Sequence, residues 1–324
     1  MKKNDTFNYI KNIAQAKSIS VAADQLGISQ PALSAHLKKT EKELGMLLFD
    51  RSRQPLELTE AGRVYLEYID EVLAAEKELM QKLSDIDDLK TGSLTVGGAS
   101  FFNVSYLPAA IAAFASENPG IEMEIVDGTV PELVTMAQKG FIDLFMTPEP
   151  GEPDRFIYEE LLEEEIYLAV PAGWDVNREL EEKAVSVLSA DGKFEGSAGT
   201  ASGKPRPLTK GEFTRLCDST FVVLKPDQNI GRRMQALLEK YDCRPARIIT
   251  AEQTMTTLAL TQKGVGISMI TESSIKNSRL VSLPKLYMVD PEICNRKMYV
   301  AYPKNKYLSK AATGFIRILK ESNR

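Results

Sequence analysis

Apolar positions in the first 62 residues recur at helical spacing in three short blocks. Phe7, Ile10, Ile13 and Ala14 share one face of a helix predicted from about Thr6 to Ala16. Ser18 or Ser20 caps a second helix carrying Val21, Ala22 and Leu26, and Ala23 is small enough for helices to cross closely. Gly27 fits the left-handed residue that ends a helix, and Ile28 plugs the turn. Ser29 caps a third helix, with Pro31 in its first turn and Leu33, Leu37 and Leu44 on its buried face. Leu48-Phe49, a tip Asp50-Arg51-Ser52-Arg53 and the pair Leu56 and Leu58 then predict a hairpin. Thr59 caps the next helix.

From Arg63 to about Asp88 there is no Gly or Pro. Tyr65, Ile69, Val72, Leu79, Leu83 and Ile86 repeat at spacings of three and four, with Glu76 in the missing slot, which is a heptad stripe. A helix this long outreaches a domain of about 60 residues, so a partner helix is expected to cover it. Lys90-Thr91-Gly92-Ser93 reads as a hinge.

Beyond Leu94 the period changes. LTVGGAS, IEMEIVDG and IDLFMT read as strands separated by the helices YLPAAIAAFASENPG and VPELVTMAQKG. FVVLKPDQ, NIGRRMQALLEKY, ARIITA, EQTMTTLALTQKG and VGISMIT repeat the alternation. Strand-helix-strand order predicts parallel sheets with crossover helices in two lobes, and a cleft at the carboxyl ends of the strands. SADGKFEGSAGTASGKPRPL, at about 189–208, reads as a flexible surface loop, favoured over an insert that closes on the cleft as a lid, and Glu159-Glu160 and Glu163–Glu165 read as a solvated strand edge.

Composition excludes several classes. Charged residues make up 26% and apolar ones 43%, ordinary for a globular chain. There is no signal-peptide run and no stretch long enough to span a membrane, so a cytoplasmic protein is expected. Cys217, Cys243 and Cys294 show neither metal-ligand spacing nor a disulfide framework; idle thiols are favoured over a redox pair. With His36 the single histidine, no nucleophile elbow and no phosphate loop, neither enzyme nor cofactor nor metal site is expected. The net charge of −5 conceals a local bias. Residues 1–60 hold nine Lys and Arg against seven Asp and Glu, whereas 61–90 hold four against eight.

A helix pair with a tight turn, followed by a hairpin bearing two arginines, points to double-stranded DNA. Ser29, Gln30, Pro31, Ser34, His36 and Lys38 belong to the helix that would lie in the major groove. Arg51 and Arg53 tip a wing that reaches phosphate or the minor groove. Residues 7–62 resemble the winged helix-turn-helix of LysR-type transcriptional regulators. The resemblance rests on Ala22-Ala23, Leu26, Ser29 to Ser34, Glu41, Leu44-Gly45, Leu48 to Arg51 and Leu58 to Gly62. At Ala35-His36, where that family often has Arg-Gln, this chain departs.

Leu107-Pro108, Gly128 to Leu133, Gly140 to Leu144, Leu168 to Pro171 and Gly264 to Ser268 extend the resemblance, more loosely, to the family's effector domain. The implied fold is α/β. It has an all-α-type winged helix-turn-helix at 1–62, a linker and dimerisation helix at 63–90 and a two-lobed, periplasmic-binding-protein-like effector domain at 91–324. The resemblance also implies self-association, a dimer or tetramer, and a small-molecule effector. Ser100, Phe101, Phe102, Thr129, Val130, Thr147, Asn229 and Ile230 are its candidate contacts, with capping as the competing role of the polar ones. Phe101 and Phe102 favour an apolar or aromatic carboxylate. The alternative is a solute-binding protein of the same cleft fold that does not bind DNA.

Overall fold

In the computed structural model, which describes residues 3–87, 91–185, 206–276 and 283–323, the three apolar blocks are helices α1 (Lys3–Ala16), α2 (Ile19–Gln25) and α3 (Gln30–Leu44). For Lys3, Asn4 and Ser100 only the backbone is described. Phe7, Ile10, Ile13, Ala22, Ala23, Leu33 and Leu37 close one core with Leu48, Phe49 and Ile69. Burying each large side chain there contributes about 1.5–3 kcal/mol. Ser18 accepts from the Val21 N–H and caps α2, and Gly27 turns the chain at φ +66°. Ser29 accepts from the Ala32 N–H and caps α3. Leu44, expected on the buried face, is instead 42% exposed, because it is the last residue of α3 and the helix has run past its core there.

The hairpin is β1 (Phe49–Asp50) against β2 (Glu57–Leu58), antiparallel. Thr59 follows, accepting from the Gly62 N–H and donating to the Leu47 carbonyl at 2.6 Å, at the start of α4 (Glu60–Ile86). The heptad reading of α4 needs correction. Tyr65, Ile69 and Val72 are not free for a partner helix; they pack into the N-terminal core. The exposed apolar positions are Val64, Tyr68, Leu79, Met80, Leu83 and Ile86.

The chain divides into two units, residues 1–84 with 139–141, and the remainder. The second unit opens with β3 (Gly92–Gly98), α5 (Ser100–Ser105), α6 (Leu107–Glu117), β4 (Ile121–Asp127), α7 (Val130–Lys139) and β5 (Leu144–Thr147). β3 lies between β4 and β5, parallel to both. Next come β6 (Phe156–Val170), α8 (Val176–Glu179), β7 (Ala184–Val185), α9 (Lys210–Thr214), β8 (Thr220–Leu224), α10 (Asn229–Lys240) and β9 (Arg247–Ala251). The chain ends with α11 (Thr254–Gln262), β10 (Ile267–Thr271), α12 (Glu272–Lys276), β11 (Lys285–Tyr287), α13 (Pro291–Cys294), β12 (Asn295–Pro303) and α14 (Lys310–Ser322).

Strand β6 belongs to both lobes. Its first half pairs with β12, which continues to β5, and its second half pairs with β10, which continues to β8 and β9. The chain returns to the first lobe through α13 and β12. Helices cover both faces of each sheet. The first lobe has a core around Leu94, Phe114 and Phe315 and another around Leu133 and Phe145. The second has cores around Phe221 and Met234 and around Tyr167 and Leu258.

Two further expectations are corrected. Cys217 and Cys243 are joined as a disulfide, leaving Cys294 as the free, buried cysteine. A 26-residue separation gave no sign of the pairing, because β8 and α10 fold the two segments together. The acidic run on β6 is not uniformly solvated: Glu164 is 2% exposed because β12 brings Arg296 opposite it. Of the Gly- and Ser-rich stretch, 189–205 lie outside the described residues; Leu208 beyond it is buried, its N–H on the Met288 carbonyl. Among the described residues no helix is long and apolar enough to cross a membrane and no acidic, His or Cys cluster could hold a metal ion.

Candidate DNA-reading face and effector cleft

Helix α3 presents its polar residues unevenly. Ser29, Gln30, Pro31, Ala35, Lys38 and Lys42 are exposed, and Ser34 is half-buried beside them. Leu33, Leu37, Thr40 and Glu41 form the opposite, buried side. Gln30, Ser34 and Lys38 follow one another at four-residue spacing along the edge of the exposed strip. His36 is elsewhere. Its ring lies 5.2 Å from that of Tyr9, against α1, so it does not share the strip with Gln30, Ser34 and Lys38.

The two wing arginines differ. Arg51 is turned inward, and its guanidinium lies 2.6 Å from buried Glu41, which also accepts the Leu48 N–H at 3.0 Å. Arg53 is 63% exposed and pairs with Glu57 at 2.9 Å and Asp50 at 3.6 Å. The Ser52 hydroxyl and N–H, both donating to Asp50, hold that carboxyl below the usual carboxylate range and fix the tip. Glu41 was legible as a motif residue; its role in tying the recognition helix to the wing was not.

In the second unit the candidate effector residues part company. Phe102 is 6% exposed within the first-lobe core and Ile230 is 5% exposed within the second-lobe core, so both are core residues and neither offers an open contact surface. Phe101 and Val130 are half-buried. The Ser100 side chain lies outside the described residues. Thr129 is exposed at the start of α7, with its hydroxyl and N–H each 2.8 Å from Glu132; these bonds hold the Glu132 carboxyl below its usual range. Thr147 is 1% exposed and its hydroxyl is spent on the Glu149 backbone.

Asn229 is the candidate around which charged groups gather. Its amide donates to the Glu149 carboxylate from the first lobe. Its carbonyl accepts from Arg233 Nε at 3.1 Å and Arg296 Nη1 at 3.5 Å. Arg232 reaches the other Glu149 oxygen at 3.3 Å. Arg233 continues to the carbonyls of Ile293 and Asn295, where the chain crosses back to the first lobe. Burial first, and the Arg296 charge second, lower the Arg233 pKa.

Arg296 is itself held by Glu164 at 2.6 Å, both side chains being 2% exposed, and its guanidinium lies 5.5 Å from the centre of the Phe102 ring. Ser273 donates its N–H and hydroxyl to the second Glu164 oxygen. Burial works to raise the Glu164 pKa, but the Arg296 charge and the Ser273 bonds outweigh it and keep the carboxylate ionised. The neighbouring Tyr106 hydroxyl is buried, and desolvation raises its pKa. Sequence reasoning missed Glu149, Glu164, Ser273 and Arg296. Arg233 carries a signal, being four residues from Asn229 on one helix face. The Glu164–Arg296 pair, 132 residues apart, carries none.

The α10 start is built for close approach. A Cβ on Gly231 would stand 2.1 Å from the Lys225 carbonyl oxygen, so only glycine lets the helix sit this tightly on the end of β8.

Comparison with known proteins agrees with this layout. Residues 5–63 match the profile of the bacterial regulatory helix-turn-helix protein, lysR family, and residues 87–190 and 200–324 match the LysR substrate binding domain. An uncharacterized HTH-type transcriptional regulator YcgK of Bacillus subtilis (strain 168) is 24% identical over 97% of this chain and 93% of its own. The HTH-type transcriptional regulator CbbR of Rhodospirillum rubrum is 24% identical over 96% and 94%. The fold is that of full-length CbnR complexed with its target DNA, with TM-score 0.65 and 20% identity over 99% of this chain and 100% of that one. The solute-binding alternative, which lacks a DNA-binding domain, gives way to these matches. The chain belongs to the LysR family of DNA-binding transcriptional regulators, with an N-terminal helix-turn-helix domain and a two-lobed effector-binding domain, and is not an enzyme.

Proposed function

We propose that this regulator is a cytoplasmic protein that senses a small carboxylate in the cleft of its second unit and reads a two-part operator as a dimer or tetramer. Its working divisions are 1–62 for DNA, 63–90 for pairing and 91–324 for the effector. Base edges are read by Ser29, Gln30, Pro31 and Ser34. Lys38 and Arg53 meet phosphates, and Arg51 shapes the wing. Val64, Tyr68, Leu79, Met80, Leu83 and Ile86 are the apolar positions of α4 left for a second copy.

The carboxylate reading rests on the charges around Asn229. Three guanidiniums, of Arg232, Arg233 and Arg296, meet two carboxylates, of Glu149 and Glu164, leaving one positive charge in excess. Glu149 also illustrates how a carboxylate is received there, between the Asn229 amide and Arg232. Phe101, half-buried against the first-lobe core, adds apolar surface. A ligand that binds one arrangement of the lobes better than another shifts the population of that arrangement, and so the spacing of the DNA heads.

Calorimetry on the full chain with aromatic and aliphatic carboxylates tests the effector. Saturable binding of one of them, weakened tenfold or more by Asn229→Ala, is expected. Tight binding of sulfate with no carboxylate bound would overturn it. A gel shift with the gene's upstream DNA against random DNA tests the reader separately.

A further inference from the structure

We infer that Cys217 and Cys243 form a reversible dithiol–disulfide site, oxidised by peroxide and reopened by a dithiol, that sets how firmly the cleft helix α10 is held. The site's oxidants are of a different chemical class from the cleft ligand, so the regulator would have a second input.

Placement carries the inference. Helix α10 ends in a tight cap: the Cys243 N–H donates to the Leu238 carbonyl at 2.8 Å and the Asp242 N–H to the Glu239 carbonyl at 3.1 Å. Asp242 takes the left-handed conformation at φ +51°, unusual for a residue with a Cβ. Cys243 is therefore rigidly fixed to the end of α10, and the disulfide fastens that end to the segment between α9 and β8. Cys243 stands fourteen positions along the chain from Asn229, which meets Glu149 of the first lobe. Between them Arg233 grips the Ile293 and Asn295 carbonyls at the lobe crossing. One helix thus joins the sulfur pair, the lobe crossing and the candidate effector contact.

The pair stays assembled when reduced. The Ala246 N–H donates to the Cys217 carbonyl at 3.1 Å, so a backbone bond holds the two segments together without the disulfide, while Lys240 separately ties the end of α10 to Asp290. At 8% and 7% exposed, both cysteines lie at the edge of the second-lobe core. Cys294 is buried as they are but lies outside the disulfide. It is 5% exposed, and burial pushes its thiol up to about 12, which keeps it protonated and inert. A DNA-binding protein works where DNA is, in a reducing compartment in most organisms, and disulfides there are characteristically transient.

The chemistry balances. One thiolate attacks a peroxide oxygen, the O–O bond breaks, and a sulfenic acid forms as water leaves after protonation. The second thiol displaces water from that sulfur and closes the S–S bond. Two thiols and one hydrogen peroxide give one disulfide and two waters. A dithiol reductant reverses the outcome by exchange, its own sulfurs becoming the disulfide.

The test uses the full-length protein, reduced and then treated with hydrogen peroxide. Differential alkylation and peptide mass spectrometry should show Cys217 joined to Cys243, with Cys294 still a thiol. Hydrogen exchange of the α10 amides should be faster in the reduced form, by on the order of tenfold at the helix's C-terminal end. The reduced protein should melt roughly 5–10 °C lower. Cys217→Ser/Cys243→Ser should match the reduced wild type and ignore peroxide. The proposal is overturned if peroxide leaves the pair unjoined or joins Cys294 instead. It is equally overturned if oxidised and reduced wild type exchange identically along α10. Because the wild type in two redox states is compared, a poorly folding variant does not blur the outcome. Neither DNA nor a carboxylate is needed, so the result is independent of the effector reading.

Discussion

Glu41 and Arg51 are joined by an ion pair of 2.6 Å in which the Glu41 side chain is 4% exposed and Arg51 38%. The same carboxylate accepts the Leu48 N–H, so one buried group holds both the turn after the recognition helix and the root of the wing. Arg51→Ala leaves a buried carboxylate oxygen without its partner, a loss of about 1–3 kcal/mol in the stability of the N-terminal unit. DNA affinity should fall through the wing's geometry, with little change in salt dependence. Arg53→Ala, at the exposed tip, should keep the stability and lower the salt slope by about one. Urea unfolding and salt-dependent gel shifts on the two variants decide it; a full unit of slope lost with Arg51 would place that side chain on a phosphate instead.

Gln30, Ser34 and Lys38 lie along one edge of α3, yet they should fail differently. Gln30→Ala and Ser34→Ala should relax the choice of base, each by about 1–3 kcal/mol of discrimination. Lys38→Ala should weaken all sequences alike. His36→Ala should leave base choice unchanged, since its ring packs on Tyr9. Selection from a randomised operator pool reads all four variants at once. A base preference that moves with His36 would show that the ring leaves Tyr9 on binding.

What the sequence disclosed divides along physical lines. The helical blocks, the caps at Ser18 and Ser29, the turn at Gly27 and the alternating strands were legible because period and capping are local. The stripe of α4 was legible as a stripe but not as two. Ile69 and Leu79 look alike in sequence, and only the fold tells which meets the N-terminal core. Asn229 was legible as a strand-to-helix junction. The charged groups brought to it from the first lobe were not, since the contacts there join residues 67 to 83 positions apart. The disulfide was hidden for the same reason.

The corrected stripe makes α4 separable into two functions. Leu79→Asp or Leu83→Asp alters exposed positions, so the folded chain should survive while self-association is lost. Ile69→Asp places a charge in the core and should unfold the N-terminal unit. Sedimentation and circular dichroism separate these outcomes. A variant at Leu79 and Leu83 together that still sediments as the wild type would remove α4 from the pairing surface.

Glu164 and Arg296 answer each other across the strands that join the lobes. Glu164→Gln strands a guanidinium that is 2% exposed, and should cost about 3–5 kcal/mol. Adding Arg296→Met removes the stranded charge while the substituted amide's oxygen still accepts from Ser273, so the double variant should recover at least half of the loss. Denaturant unfolding of the two variants measures this. Equal losses in both would mean that the pair's role is packing and not charge compensation.

Acid should expose a second charged cluster in the effector unit. Thr209 and Glu212 cap α9 reciprocally, and Lys183 lies 2.9 Å from the same Glu212 carboxylate. Lys183 first, then the Thr209 N–H and hydroxyl, hold the Glu212 pKa at about 2, below its ordinary 4.5. A carboxyl with a depressed folded-state pKa stabilises the fold above its unfolded pKa and loses that contribution as pH falls towards the folded value. The wild type should therefore exceed Glu212→Gln in stability by a constant margin above about pH 5, and the margin should shrink progressively between 4.5 and 2. Urea unfolding of both proteins at pH 3, 4, 5 and 7 measures the margin directly, other acid-sensitive groups being common to the two. A margin that does not move with pH would show that Glu212 acts as a hydrogen-bonding cap with no contribution from its charge.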